Sequence, residues 1–228
     1  METFVGTSGW SYDWNLGGTL DWYVMNSGLN AVELNASFYR FPFDTYVRNW
    51  RDRGASFRWG VKVHRSITHI HRFNERALEI WGRFRERFQP LDELIDYYLF
   101  QAPPRYQDTD RLLAFFKNID MKEKVALELR DSTQLGDDDL CARLQESLVV
   151  VSVDSPDFKK RIFHGDTIYL RMHGREDWYQ HAYRRAELQE IAAEINRVKP
   201  ERVYVFFNNN HDMLKNARLM VKVLGRSG

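Results

Sequence analysis

The feature that most limits what this chain can fold into is its rhythm. Short runs rich in β-branched and aromatic residues recur eight times: Thr3–Thr7, Ala31–Asn35, Phe57–Val63, Ile95–Gln101, Val125–Leu129, Leu148–Val153, Thr167–Met172 and Arg202–Phe207. Between them apolar residues fall three and four positions apart, as in Ala77-Leu78-Trp81-Phe84-Phe88, Leu112-Leu113-Phe115-Phe116, Leu140-Leu144 and Leu188-Ile191-Ile195, which is the spacing of one helix face. Eight strand and helix pairs in 228 residues, with no Gly/Ser- or Pro-rich linker, predict an α/β chain. The expected fold is a single (β/α)8 TIM-type barrel over residues 1–228, closed by a helix over Leu214–Leu224. Two intervals depart from the ideal. Asp154–Asp166 has room for one or two helical turns, so some helices are shortened, and the first βα connection, with Gly17-Gly18, begins as an extended loop.

Charge narrows the functions. Lys and Arg number 33 against 32 Asp and Glu, so a net charge of +1 exerts no global pull on nucleic acid or an anionic membrane, and any attraction to phosphate is local. Cys141 is the single cysteine, which excludes an intramolecular disulfide and fits a packing role in a reducing compartment. The start of the chain has no basic region followed by an apolar run, and no stretch reaches the roughly 18 apolar residues of a spanning helix, so the expectation is a cytoplasmic protein with no membrane partner.

In such a barrel, chemistry gathers at the C-terminal strand ends, where side chains two apart share a face. The strands here end in Thr7 and Ser8, Glu33 and Asn35, Lys62 and His64, Gln101, Glu128 and Arg130, Ser152 and Asp154, Arg171 and His173, and Asn208 and Asn209. Buried charge on nearly every strand is costly unless paired or used. Glu33, Glu128 and Asp154 balance Lys62, Arg130 and Arg171, so these residues form either a neutral buried network or a site at a common opening. Glu33 and Lys62, on adjacent strands at similar depth, read equally as a structural pair and as part of such a site, and Glu128 is the structural partner available to Arg171. The outermost groups, His64, Asp154, His173 and Asn208, are placed to meet solvent and substrate.

Three loops add to this. Gly6-Thr7-Ser8-Gly9-Trp10-Ser11-Tyr12 bends off strand one with its amides available to a phosphate and with Trp10 and Tyr12 as flat surfaces, rimmed by Asn35, Phe38 and Tyr39. In Gly60–Arg72, residues Arg65, His69 and Arg72 fall on helical spacing after strand three and read as an anion grip, or as a solvated basic face with His69 buried. Trp178 and Tyr179, beyond Gly174, form a lid over the ligand, and Asn208-Asn209-Asn210-His211 either reads hydroxyls and base edges or caps a turn.

These stretches also carry a resemblance. GTSGWSYDW at 6–14, NAVELNASFYRFP at 30–42, KVHRSITH at 62–69, LFQAPP at 99–104, VDSP at 153–156, YLRMHGREDWY at 169–179 and VFFNNNHDMLKNA at 205–217 are similar, in order, to the family known as domain of unknown function 72, or YecE-like. The resemblance implies a TIM-type barrel, of the kind compared with endonuclease IV and xylose isomerase, and supplies no reaction. After strand five the family usually reads Glu-Phe-Arg-His-Pro-Ser-Trp, whereas this chain has Glu128-Leu129-Arg130-Asp131-Ser132-Thr133-Gln134 and so lacks that His and Trp.

The residues lead to three functions. In the first, Lys62 and Arg171 stabilise negative charge while His173 or His64 moves a proton with Asp154 or Glu128, giving hydrolysis of a phosphate-bearing small molecule or nucleic acid. The substrate is then held by Ser8, Trp10, Tyr12, Glu33, Asn35, Tyr39, Lys62, Arg65, Arg130, Arg171, Trp178, Tyr179, Asn208 and Asn209. In the second, the same paired charges make a rigid pocket that binds a sugar, nucleotide or nucleic acid without chemistry. In the third, Glu33, Glu128, Asp154 and His173 hold a divalent Mg, Mn or Zn ion for phosphodiester cleavage or sugar isomerisation, although Lys62, Arg130 and Arg171 compete for the carboxylates.

Overall fold

The computed structural model describes residues 1–119 and 121–225, with the side chain of Lys122 left out. Position 120 and the last three residues of the expected 1–228 span lie outside the described residues. In chain order the elements are β1 (Glu2–Thr7), α1 (Leu20–Asn26), β2 (Ala31–Leu34), α2 (Ala36–Tyr39), α3 (Asp44–Arg53), β3 (Arg58–Lys62), a π-helical turn (Ser66–Ile70), α4 (Glu75–Phe88), β4 (Ile95–Gln101) and α5 (Thr109–Lys117). There follow β5 (Val125–Glu128), α6 (Ser132–Gly136), α7 (Asp138–Gln145), β6 (Val149–Val150), β7 (Ser152–Asp154), β8 (Thr167–Met172), α8 (Arg185–Val198), β9 (Arg202–Phe207) and α9 (Met213–Leu224). No helix among the described residues is long and apolar enough to cross a membrane.

All eight expected β runs are present. The sixth is divided at Val151: Val149–Val150 run parallel to β5, whereas Ser152–Asp154 run parallel to β8. One sheet is ordered β1-β9-β8-β7 and the other β2-β3-β4-β5-β6. The chain also separates into two compact units, one of residues 1–33, 53–58 and 151 onward, the other of residues 34–52 and 59–150.

In the first unit, β9 lies between β1 and β8 in parallel register, with Val5 opposite Val205 and Tyr169 opposite Tyr204. Helix α9 packs on β1 and β9, and α8 packs on α9. Their buried residues, Leu188, Ile191 and Ile195 on one helix and Met213, Ala217 and Met220 on the other, recur at helical spacing. Beside β1 the start of β2 is joined by a side chain instead of a regular ladder. The Tyr23 hydroxyl accepts from Thr7 N at 3.1 Å and donates to Ala31 O at 3.1 Å. Backbone approaches closely here, since a Cβ on Gly6 would sit 2.3 Å from Ala31 O.

The connection over 155–166, where the sequence leaves little room for a helix, holds none. Pro156 disfavours helical backbone at Ser155, and Val153 instead forms a two-bond antiparallel bridge with Arg161, both bonds 2.9 Å.

In the second unit aromatic side chains join helices to the sheet. Trp81 meets Tyr98 edge-on at 5.1 Å, Phe100 meets Phe116 at 5.2 Å and Phe73 meets Phe115 at 5.3 Å, joining α4 and α5 to β4. The helices begin at polar caps: Asn74 accepts from Ala77 N, Asp108 from Arg111 N and Asp137 from Leu140 N. After β3 the basic stretch does not enter an α-helix. It makes five residues of π-helix, closed by the Ser66 O to His71 N bond of 2.9 Å, and then leaves through positive φ at Arg72 and Phe73.

Candidate functional site

The first unit gathers Ser8, Glu33, Tyr169 and Arg171 into a buried knot. Tyr169 and Arg171 are two apart on β8 and share a face, which both direct at Glu33. Arg171 clasps the carboxylate with Nε at 3.0 Å from Oε2 and Nη2 at 2.7 Å from Oε1, while Tyr169 OH donates at 2.8 Å and Ser8 Oγ at 2.7 Å. Glu33 and Arg171 are both 0% exposed. A buried bidentate pair with four donors on one carboxylate is a satisfied structural unit. Glu33 therefore has Arg171 as a bidentate partner, a pairing that the sequence reading did not name.

A second cluster in the same unit surrounds Asp154. Arg175 Nε lies 2.9 Å from Oδ2, Tyr183 OH donates to Oδ2 at 2.8 Å, and Lys160 N donates to Oδ1 at 2.8 Å. Burial opposes charge on Arg175, but the hydrogen bond and charge of Asp154, with Glu190 and Glu187, hold its pKa above the ordinary arginine value. Burial and the Asp154 carboxylate push the Tyr183 phenol upward. Asp154 and His173 are fully buried, so neither is the outermost group that the sequence suggests. Trp178 and Tyr179 do form a lid, but over His173 itself, with ring centroids at 5.2 and 5.7 Å, and Asn208 Nδ2 lies 3.3 Å from His173 Nδ1.

The loop after β1 differs likewise from the expected phosphate cradle. Ser8 N donates to Phe207 O and Gly9 N to Thr7 O, both at 2.9 Å, so these amides are engaged. Tyr12 stacks on Trp14 at 5.6 Å, and Trp10 O accepts from Asn15 Nδ2. Asn209 is buried and donates to His181 O and Asn216 Oδ1 at 2.6 and 2.8 Å, and its side chain caps no helix: it makes no cap bond to the turn over Asn210–Asp212.

The second unit holds the remaining expected residues at one sheet edge. Lys62 ends β3, Gln101 ends β4 and Glu128 ends β5, with Gln101 opposite Glu128 in register. Glu128 accepts from Gln101 Nε2 at 3.0 Å and from Arg130 Nη1 at 2.9 Å. Lys62 Nζ sits 4.2 Å from the Phe38 ring centroid, a cation–π contact, and His69 meets the same ring edge-on at 4.9 Å. Phe38 thus brings Lys62 and the π-turn together.

His69 reports the local field. Burial first, then the charges of Lys62, Arg130, Arg72 and Arg65, lower its pKa to about 4, so it is neutral at physiological pH. Arg65 and Arg72 are exposed and, among the described residues, take part in no ion pair. His64 is the opposite case. Its Nδ1 lies 2.6 Å from Ser66 Oγ, its ring bonds the Tyr39 backbone, and burial with nearby Arg65 leaves its pKa lowered. Asn35 follows β2 in this unit, and its Oδ1 is buried without a hydrogen-bond partner. A separate cleft of about 630 Å3 opens between α4 and α5, where Arg76 pairs with Glu79 and Arg111 with Asp108, so it adds no cluster of one sign.

Among the described residues, no three His, Cys, Asp or Glu side chains come together in a group that could hold an ion. Glu33, Glu128 and Asp154 each accept from an arginine and from a neutral donor. The sequence reading missed Tyr169, Arg175 and Tyr183. Tyr169 carries the i, i+2 signal with Arg171; Arg175 and Tyr183 follow the strand in a loop and carry none.

Comparison with known proteins agrees with this architecture. The family described as protein of unknown function DUF72 matches residues 4–228. No curated protein matches the chain. A DUF72 family protein from Thermotoga maritima MSB8, 25% identical, superposes with a TM-score of 0.80 over 98% of this chain and 99% of that one. Another from Enterococcus faecalis V583, 23% identical, gives 0.80 over 99% and 96%. A xylose isomerase-like TIM barrel/4-hydroxyphenylpyruvate dioxygenase fusion protein, 16% identical, gives 0.63 over 98% of this chain and 42% of that one. The fold class is therefore the α/β TIM-barrel type that the strand and helix alternation predicts.

Proposed function

Because the chain belongs to the DUF72 family, which is defined without an activity, its function has to be argued from its own side chains, and we propose that it binds a phosphate-bearing ligand at the Lys62, His69 and Arg130 edge of the second unit. The observation that carries the reading is the gathering of cations around Phe38 and His69: Lys62 Nζ lies 4.2 Å from the Phe38 ring, which His69 meets edge-on at 4.9 Å, and the charges of Lys62, Arg130, Arg72 and Arg65, after burial, hold the His69 pKa down. Cations gathered around a neutral imidazole and a lone buried carboxylate offer charge-assisted hydrogen bonds to a multiply charged oxyanion. Arg65 and Arg72 would supply the outer contacts, and Lys62, held against Phe38, the inner one.

The proposal is for binding and not for cleavage. The four residues that the sequence nominates for acid–base work are all engaged: His173 with Asn208, His64 with Ser66 and Tyr39, Asp154 with Arg175 and Tyr183, and Glu128 with Arg130 and Gln101. Groups engaged in this way do not act as a poised base. A cytoplasmic location belongs to the same reading and draws support from the buried free thiol of Cys141.

Calorimetric titration with inorganic pyrophosphate tests the proposal. The wild-type protein should bind, more weakly as salt rises, and Lys62→Met combined with Arg65→Gln and Arg72→Gln should lower affinity at least about tenfold, the loss of charge-assisted contacts. Equal affinity in the triple variant, or no binding by the wild type, would refute it.

A further inference from the structure

The basic edge of the second unit adjoins an unusual surface. Large apolar side chains are mostly buried in this protein, yet Tyr39, Phe43 and Tyr46 are 67%, 64% and 54% exposed. They lie within eight residues of one another on the segment from the end of α2 into α3. That segment is tied directly to the cationic cluster. Tyr39 meets Phe38 edge-on at 5.0 Å, and Phe38 is the ring that carries Lys62 and His69. Phe41, between Tyr39 and Phe43, meets His64 at 4.7 Å. Phe43 and Tyr46 contact each other at 5.8 Å, and Tyr46 continues to Trp50 at 6.4 Å.

The charge of these segments is unbalanced. Residues 34–52 and 59–72 of this unit contain six Lys and Arg, namely Arg40, Arg48, Arg51, Lys62, Arg65 and Arg72, against Asp44 and Asp52. Asp44 is itself neutralised by Arg48 at 2.7 Å.

We infer that the ligand of this edge is a single-stranded nucleic acid, its bases stacked on Tyr39, Phe43 and Tyr46 and its phosphates met by Arg65, Arg72 and Lys62. The inference rests on the phosphate-binding reading above and extends it. A mononucleotide has one base and leaves two exposed rings without a role, whereas successive unpaired bases use several. A duplex hides its base faces and offers the rings nothing to stack on. Stacking is tolerant of base identity, so the surface predicts affinity with little sequence preference.

Fluorescence anisotropy with three labelled probes of equal length, about twelve nucleotides, tests this: oligothymidylate, the corresponding abasic strand, and a duplex. The expected result is that oligothymidylate binds roughly tenfold or more tighter than the abasic strand and the duplex. Tyr39→Ala, Phe43→Ala and Tyr46→Ala should together reduce it to the abasic level, while Tyr39→Phe with Tyr46→Phe retains the affinity. These side chains are more than half exposed, and circular dichroism of each variant checks that the fold persists.

Equal binding of oligothymidylate and abasic strand would overturn the stacking inference and leave phosphate binding intact. Preference for the duplex would overturn it as well, as would capture of pyrophosphate with no oligonucleotide bound. Failure of every probe, pyrophosphate included, would overturn both. If the triple alanine variant instead loses only a protein contact, with oligonucleotide affinity unchanged, the aromatic surface serves a protein partner and the inference is wrong.

Discussion

Arg171 and Glu33 are both fully buried, and the two-point clasp between them is what compensates each charge in the interior. The charged residues at strand ends stand out from the apolar runs, but Glu33 lies 138 residues before its partner, and no local spacing encodes that contact. Removing one member leaves the other charged in the interior. Arg171→Met should destabilise the protein by about 3–5 kcal/mol in denaturant unfolding, and adding Glu33→Gln should restore part of the loss, because the uncompensated carboxylate is the larger cost. A single variant as stable as wild type would mean that the pair contributes nothing. His69 gives the pH counterpart. Its folded pKa, about 4, lies below the ordinary 6.5, so its neutral state is favoured by folding. The corresponding stability is complete above pH 6.5 and is lost as pH falls toward 4, because the unfolded chain takes up the proton first. Replacing His69 by Gln should flatten the pH dependence of the unfolding midpoint in that window.

At the scale of elements, what was readable was whatever depended on local pattern. The eight β runs and the helices α4, α5, α7, α8 and α9 coincide with the apolar spacing that announced them. What was not readable depended on the partner strand or on one polar group. The change of neighbour at Val151 leaves no mark in Leu148–Val153, a β-rich run whose one polar residue, Ser152, follows the break. The π-turn after β3 has the same i, i+4 content as an α-helix and differs only in its closing bond. The Tyr23 bridge is of this kind too. Tyr23→Phe deletes a hydroxyl that serves Thr7 N and Ala31 O in a buried setting, and should cost about 1–3 kcal/mol in thermal or denaturant unfolding. A neutral outcome would show that other groups satisfy those strands. Gly6→Ala should be worse tolerated than most surface changes, since the new Cβ meets a backbone oxygen that has no room to move.

At the scale of the whole molecule, net charge hides the functional signal. The chain sums to +1, while residues 34–52, which carry the exposed aromatic rings, and 59–72 together hold six cations and two acids. Binding should therefore be strongly salt-dependent despite near-neutrality. If Arg65 and Arg72 each meet one phosphate of a single strand, their double Gln variant should flatten the slope of log affinity against log salt by about 1.4, twice the roughly 0.7 expected per contact. An unchanged slope would place the phosphates elsewhere. The most direct test of the cationic site is an NMR titration of the His69 ring with and without saturating pyrophosphate. The account predicts a midpoint near 4 in the free protein and a clear rise when the anion neutralises the surrounding cations. A midpoint at the ordinary value of 6.5, or one that pyrophosphate leaves unmoved, would contradict it.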